Sequence, residues 1–145
     1  MKILEIKTVK RLLGNFGERA ACRYLRRNGY HIEKRNFVAD SHEIDIIAST
    51  KDTLVFVEVK TRTLGKENPN EPRPASSVTP EKQRSIINAA KIYSAFNPVS
   101  KKKRFDVIEV YVKNDSKRKR VAEIKHLINT FNVNTAFSHR KDYSK

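Results

Sequence analysis

The fold is decided by residues 43–62, EIDIIASTKDTLVFVEVKTR, which contain two apolar runs separated by a short polar segment. The runs at 43–48 and 53–61 are rich in β-branched residues, which favour strands. The polar residues 49–52 between them are typical of a turn. This stretch therefore predicts a β-hairpin.

The hairpin carries charged residues at alternate positions. Alternate side chains of a strand share a face, so Glu58 and Lys60 project together, as do Glu43 and Asp45. If the loop has an even number of residues, Asp45 lies opposite Glu58, because opposed residues of an antiparallel ladder share a face. The same register places Glu43 opposite Lys60. An odd-length loop would put Asp45 on the other face, so the sequence alone leaves both registers open.

The even register would create a site suited to a metal ion. Two opposed carboxylates repel each other unless a cation neutralises them. Mg²⁺ binds hard oxygen ligands and usually takes one or two carboxylates, which predicts Asp45 and Glu58 as ligands of Mg²⁺ or Mn²⁺. Lys60 would then orient the attacking water or stabilise charge on a phosphate. The alternative is that Glu58 and Lys60 form an ordinary exposed ion pair, although the apolar strand around them favours catalysis.

The composition favours a nucleic-acid partner. Lys and Arg number 31 against 16 acidic residues, a net charge of +15, which is typical of proteins that bind phosphate backbones. The alternatives are a merely soluble basic protein, or one that contacts ribosomes or anionic lipid. Basic runs at 26–27, 101–104 and 117–120 are candidate phosphate contacts. Candidate DNA contacts also open the second predicted helix, where the helix dipole favours an anion; they are Lys82, Gln83 and Arg84.

The remaining elements surround the hairpin in an α/β order. The apolar spacing predicts a first helix that ends at Gly29 and a second that begins at Thr79-Pro80. The residues between the hairpin and the second helix, 64–77, contain three prolines and are interpreted as a mobile loop over one face. The predicted elements are a helix at 9–28, strands at 30–37, 43–48 and 53–61, a helix from 79, a strand at 104–113 and a shorter strand at 121–128.

The chain length predicts one domain and a tail. Residues 1–131 would form a single nuclease-like domain, and residues 132–145 a polar, flexible tail. The lone Cys22 excludes an intramolecular disulfide, and the four histidines lack zinc-ligand spacing. Neither a signal peptide nor an apolar run of membrane-spanning length is evident. We therefore expect a cytoplasmic protein without a membrane partner.

Several motifs together resemble a known family. They are GNFGERAACRYL at 14–25, NGY at 28–30, EIDIIA at 43–48, LVFVEVKTR at 54–62 and RFDVI at 104–108. These motifs resemble the YraN family of predicted endonucleases, which is similar to the archaeal Holliday-junction resolvases of the PD-(D/E)xK nuclease superfamily. The resemblance implies a restriction-endonuclease-like fold with an αβββαβ core and a mixed central sheet flanked by helices.

The resemblance also implies roles for particular residues. It maps Asp45, Glu58 and Lys60 onto the metal-binding and catalytic positions of the superfamily, and Glu18 onto a helical glutamate of the resolvase branch. The sequence departs from the family at His42, where Gly is frequent. The implied function is hydrolysis of DNA phosphodiester bonds, including those of branched DNA. The resemblance is also compatible with assembly of the chain as a homodimer. The alternatives are a non-catalytic nucleic-acid-binding or assembly factor on the same fold, and an RNA- or ribosome-associated protein.

Overall fold

The protein has three helices and five strands in the part of the chain that the structure, a computed structural model, describes: residues 3–65, 78–115 and 118–137. In chain order these are α1 (Ile3–Arg27), β1 (His31–Ala39), β2 (His42–Ser49), β3 (Thr53–Thr63), α2 (Pro80–Phe96), β4 (Lys102–Asp115), β5 (Arg118–Phe131) and α3 (Val133–Phe137). The predicted α/β class and element order are confirmed, and the arrangement is consistent with a restriction-endonuclease-like fold.

The five strands form one mixed sheet in the order β1-β2-β3-β4-β5. Neighbouring strands are antiparallel except for β3 and β4, which are parallel. A parallel pair needs a crossover connection, and α2 lies in the segment that joins β3 to β4. The parallel pair occupies the centre of the sheet, so β3 is covered on both faces and reads as an almost continuous apolar run.

Side chains alternate between two apolar clusters, one on each face of the sheet. Leu54 and Phe56 of β3 pack with Ile86 and Ile87 of α2. The intervening residues of β3 pack on the opposite face with Ala21 and Leu25 of α1. Because Glu58 continues the series of Leu54 and Phe56, its side chain belongs to the face that α2 covers.

Helix α1 approaches β3 closely at one glycine. A Cβ atom added at Gly17 would overlap the side chain of Thr61, so the helix lies nearer the strand than any larger residue would permit. Glu18 follows directly in the helix. The close contact therefore fixes the distance between Glu18 and the charged end of β3.

Helix α2 begins as the sequence predicts. The Thr79 hydroxyl accepts a hydrogen bond from the Lys82 backbone N–H at 3.1 Å, and Pro80 occupies the first helical position. This cap orients the first turn of α2, which carries Lys82, toward the sheet face on which Glu58 lies.

The elements at both ends of the chain are longer than the sequence predicts. Helix α1 begins at Ile3 rather than at residue 9, and its first apolar residues do not join the core, since Val9 and Leu12 are exposed. A short helix, α3, lies within the predicted tail, because Ala136 is buried in the apolar cluster below α2. Residues 133–137 thus differ from the loose tail that we expected. Residues 138–145, and 66–77 of the predicted mobile loop, lie outside the described residues.

Across the described ranges, the structure contains no helix that is both long and apolar enough to cross a membrane.

Candidate active site

The hairpin has the even register that brings the two carboxylates together. Its turn is closed by a 2.9 Å hydrogen bond from the Thr50 N–H to the Thr53 carbonyl. The ladder then runs to the pair Ile46 and Val57, so the next positions along the two strands are Asp45 and Glu58. The register that the sequence left open is therefore resolved in favour of the convergent arrangement, with His42 in place of the family's glycine.

Beyond the last ladder pair, the Asp45 side chain, rather than its backbone, accepts a hydrogen bond from β3. Its Oδ2 accepts a 2.8 Å hydrogen bond from the N–H of Val59, on the strand opposite. A side chain that accepts from the facing backbone is held in one orientation. Asp45 is thus fixed beside the carboxyl of Glu58.

Glu58 is a buried carboxyl with mixed neighbours. It is 6% exposed and lies beside Asp45, while Lys60 Nζ lies 3.6 Å from its Oε1. Burial raises the pKa of Glu58, nearby Asp45 raises it further, and Lys82 and Lys60 lower it, with a result of about 7. Without a cation, this pair of carboxyls therefore still holds a proton at a pH where an ordinary glutamate is fully ionised.

One oxygen of Glu58 has no partner. Oε2 is buried and accepts no hydrogen bond, and the same is true of Oε2 of Glu18. A buried polar atom without a partner costs about 1–3 kcal/mol, and such atoms are often found where an ion or water binds. Both orphaned oxygens belong to residues that the sequence assigns to the site.

Glu18 approaches the site from helix α1. Burial raises the pKa of its carboxyl, and the nearby charge of Asp45 raises it further, whereas Arg35 and a hydrogen bond with Asn36 lower it. Asn36 has a positive φ of 50° inside β1 and lies between the partners of Ile44 and Ile46, level with Asp45. Asn tolerates this left-handed conformation better than most residues.

The three residues predicted to contact DNA have different surroundings. Lys82 is close enough to Glu58 to lower its pKa. Gln83 donates a 2.9 Å hydrogen bond to the Val78 carbonyl, and Arg84 donates one of 3.1 Å to the Ala136 carbonyl. Gln83 and Arg84 thus have structural partners within the chain, and DNA contact by all three remains a prediction.

The donor set fits a hard divalent cation with few protein ligands. Among the described residues, no three His, Cys, Asp or Glu side chains are placed so that they could share a metal ion. Asp45 and Glu58 supply two carboxylates, one with an unpartnered oxygen, and Mg²⁺ commonly takes only one or two carboxylates and keeps several waters.

A second buried charge cluster lies on the other face of the sheet. Asp106 of β4 is fully buried and accepts hydrogen bonds from Arg104, from the Asn129 N–H and from His126, whose other ring nitrogen contacts Tyr24. Burial would raise the pKa of Asp106, but the hydrogen bonds from His126 and Arg104 outweigh it and lower that pKa. Every partner is satisfied within the chain, so this cluster joins α1 to β4 and β5.

Asn36 and the electrostatic effect of Lys82 on Glu58 were not predicted from the sequence. Asn36 gives no periodic or motif signal, because its importance arises from a backbone conformation that the strand pattern conceals. We predicted that Lys82 contacts DNA. Its proximity to Glu58 arises because the crossover connection places α2 on the face of β3 that carries Glu58.

Comparison with known proteins identifies the family. The model of the uncharacterised protein family UPF0102 matches residues 17–110. This chain belongs to the UPF0102 family. The match spans Glu18, Asp45, Glu58 and Lys60, and UPF0102 is the YraN family that the motifs resemble.

UPF0102 proteins of several bacteria are similar to this chain over most of their length. The chain is 37% identical to a UPF0102 protein of Caldanaerobacter subterraneus over 126 residues, which cover 86% of this chain and 98% of the relative. It is 45% identical to a UPF0102 protein of Chlorobaculum parvum, over 83% and 92% of the two chains. A UPF0102 protein of Acetivibrio thermocellus is 41% identical, over 86% and 95%.

Proposed function

We propose that this UPF0102 protein is a metal-dependent endonuclease that hydrolyses DNA phosphodiester bonds. The observation that carries the proposal is the close pair of carboxylates, half-buried Asp45 and buried Glu58, with an unpartnered oxygen on Glu58. Two carboxylates this close are unfavourable when both are ionised. A divalent cation would remove the repulsion and satisfy the orphaned oxygen.

Asp45 and Glu58 would hold the cation, Mg²⁺ or Mn²⁺. The chemistry that such a cation supplies is activation of water and neutralisation of charge on a phosphate oxygen. Asp45 is positioned for this role by its hydrogen bond from the Val59 N–H. Glu58 is positioned by the rigid, fully buried part of β3 that precedes it.

The cationic residues beside the pair have separate tasks. Lys60, whose side chain is 28% exposed, can reach both Glu58 and solvent, so it would orient the attacking water or stabilise negative charge on the phosphate. Lys82 would attract the phosphate from the start of α2, where the helix dipole adds to its charge. Glu18 lies close enough to Asp45 for that charge to raise its pKa, and its unpartnered Oε2 would accept a proton or a hydrogen bond from a water beside Asp45.

DNA is the proposed substrate because of the charge of the chain and the resemblance to resolvases. A net charge of +15 supplies the sequence-independent attraction for a phosphate backbone. Branched DNA is the preferred form, by analogy with the Holliday-junction resolvases. The alternative function is a module that binds nucleic acid without cleaving it. It is compatible with the finding that no three possible metal ligands cluster among the described residues.

Cleavage of a labelled panel would test the proposal. The panel contains single-stranded, duplex, flap and four-way-junction DNA, with the corresponding RNA duplex, and is incubated with Mg²⁺, Mn²⁺ or EDTA. Wild type is compared with Lys60→Ala and with Lys51→Ala, an exposed lysine in the turn of the same hairpin that serves as the matched control. We expect metal-dependent cleavage that Lys60→Ala lowers at least 100-fold, on the scale of removing one stabilising donor, and that Lys51→Ala preserves. Tight binding without cleavage by any variant would establish the alternative function instead.

A further inference from the structure

Strands β4 and β5 extend beyond the rest of the sheet as a two-stranded ribbon. The last residue of β4 that pairs with β3 is Val112, opposite Thr63. After it, β4 pairs only with the start of β5. The exposed cationic side chains of this extension, called the basic ribbon below, are Lys113, Arg118, Lys119 and Arg120.

The basic ribbon contains an unfavourable cross-strand pair. Lys113 lies directly opposite Arg120, and Arg118, two residues along the same face, pairs with Asp115. Like charges placed opposite each other destabilise a sheet, and an isolated ribbon buries too little to offset this. Cationic residues on an edge strand can block aggregation, and both strands of the ribbon are edges, but that purpose does not require like charges directly opposite each other. The opposed pair of Lys113 and Arg120 therefore indicates an anionic partner.

The paired charges of the ribbon share a sheet face with the candidate active site. Glu58 pairs with Val107 and Lys60 with Glu109, and alternate residues of β4 continue this face to Lys113. Two glutamates lie along the way. Glu109 is buried and accepts a 2.8 Å hydrogen bond from the Tyr111 hydroxyl, with Lys125 opposite it, while exposed Glu123 lies opposite Tyr111.

The length of β4 sets the separation of the two sites. From Val107, level with Glu58, to Lys113 there are six residues, which span about 20 Å at about 3.3 Å per residue. Successive base pairs of a duplex rise by about 3.4 Å, so this distance corresponds to about six base pairs.

We propose that the basic ribbon binds the phosphate backbone of a duplex DNA arm, about six base pairs from the bond that is cleaved. The position of that bond rests on the nuclease function proposed above, whereas binding by the ribbon does not. The ribbon would reach these phosphates from within the major groove of B-DNA, which is about 12 Å wide and admits a two-stranded ribbon. The deep, narrow major groove of A-form RNA does not, so the partner is duplex DNA rather than duplex RNA.

The salt dependence of binding tests the proposal. Binding of the full chain to a fluorescent 24-base-pair DNA duplex, and to an RNA duplex of the same sequence, is measured in EDTA from about 50 to 200 mM salt. The test variant is Arg118→Ala/Arg120→Ala. The matched control, Arg11→Ala/Arg19→Ala, removes the same charge from exposed positions of α1.

We expect the ribbon variant to lose at least tenfold in DNA affinity at about 50 mM salt and to lower the slope of log K against log salt by about 2, since each phosphate contact contributes about 0.9. The control should lose less than threefold. Equal losses in both variants, or an equal effect on RNA and DNA, would overturn the proposal. Arg118→Gln/Arg120→Gln, with a circular dichroism spectrum as a check, replaces the first variant if that one fails to fold.

Cleavage measured on the same proteins separates this proposal from the nuclease function. Ribbon-dependent DNA binding by a protein that cleaves nothing would support the ribbon site and refute the nuclease. Metal-dependent cleavage with unchanged DNA binding in the ribbon variant would refute the ribbon site alone.

Discussion

Replacing Glu58 with glutamine should stabilise the metal-free protein at alkaline pH. The pKa of this buried carboxyl is raised from 4.5 in a model peptide to about 7 in the folded protein. The folded state therefore holds the proton more tightly than the unfolded chain between these two values. The resulting penalty is absent below about pH 4.5, grows as pH rises, and is complete above about pH 7.

The size of the penalty follows from the shift. Each pKa unit corresponds to about 1.4 kcal/mol, so the full shift amounts to about 3 kcal/mol at pH 8. Glutamine preserves the shape of the side chain and cannot ionise, so Glu58→Gln should recover about 1–3 kcal/mol of unfolding free energy at pH 8. For a chain of this length that gain raises Tm by about 3–10 °C. At pH 4.5 the difference should vanish.

Urea unfolding followed by circular dichroism, in EDTA from pH 4.5 to 8, measures this difference. Glu123→Gln is the matched control, since it makes the same chemical change at an exposed position of β5 and should be neutral. Added Mg²⁺ should stabilise wild type but not Glu58→Gln. If Glu58→Gln were less stable than wild type at pH 8 in EDTA, the carboxyl would be a well-paired structural group and the reasoning would be wrong.

Three other substitutions test the framework around the site. Gly17→Ala should destabilise the fold by about 1–3 kcal/mol through its overlap with Thr61, and adding Thr61→Ala should restore part of the loss in urea unfolding. Asp106→Asn should cost about 3–5 kcal/mol by leaving buried cationic partners unpaired. Because the pKa of Asp106 is lowered in the folded state, its stabilisation is present above about pH 4 and lost on acidification, so the variant should flatten the acid-unfolding curve. Thr79→Ala should cost about 1 kcal/mol by removing the cap of α2, and a neutral result would mean that the cap is not needed to position Lys82.

The central part of the fold could be predicted from local sequence patterns. The hairpin at 43–62, the crossover helix and the apolar β4 each have a strong periodic signal, and each is confirmed. The hairpin register could be narrowed to two alternatives, but the choice between them depends on the turn, whose Thr50 to Thr53 hydrogen bond no pattern specifies.

The ends of the chain were harder to predict because tertiary contacts decide them. Helix α3 has only five residues, too few to be stable alone, and forms where Ala136 can enter the core. The first half of β5 is polar and its residues are exposed. It nevertheless forms a strand because its backbone pairs with β4.

Motifs and residue spacing identified the site residues. The pKa shifts of buried groups, in contrast, depend on contacts that only the folded chain brings together. Glu58 owes its raised pKa to burial and to Asp45 on a neighbouring strand. Asp106 is held by His126 of β5, and His126 contacts Tyr24, 102 residues away in the chain. Pairings across such distances leave no periodic trace in the sequence.

Titration of Mn²⁺ into the protein by isothermal calorimetry tests most directly whether Asp45 and Glu58 form a metal site. Wild type should bind one ion in this site and release part of a proton per ion at pH 7, because metal ligands must be deprotonated and the pKa of Glu58 is raised to about 7. The proton release would appear as a dependence of the binding enthalpy on the buffer, and Asp45→Asn should abolish binding. A titration without heat in wild type, or binding that Asp45→Asn leaves intact, would contradict the assignment of the metal site to this pair.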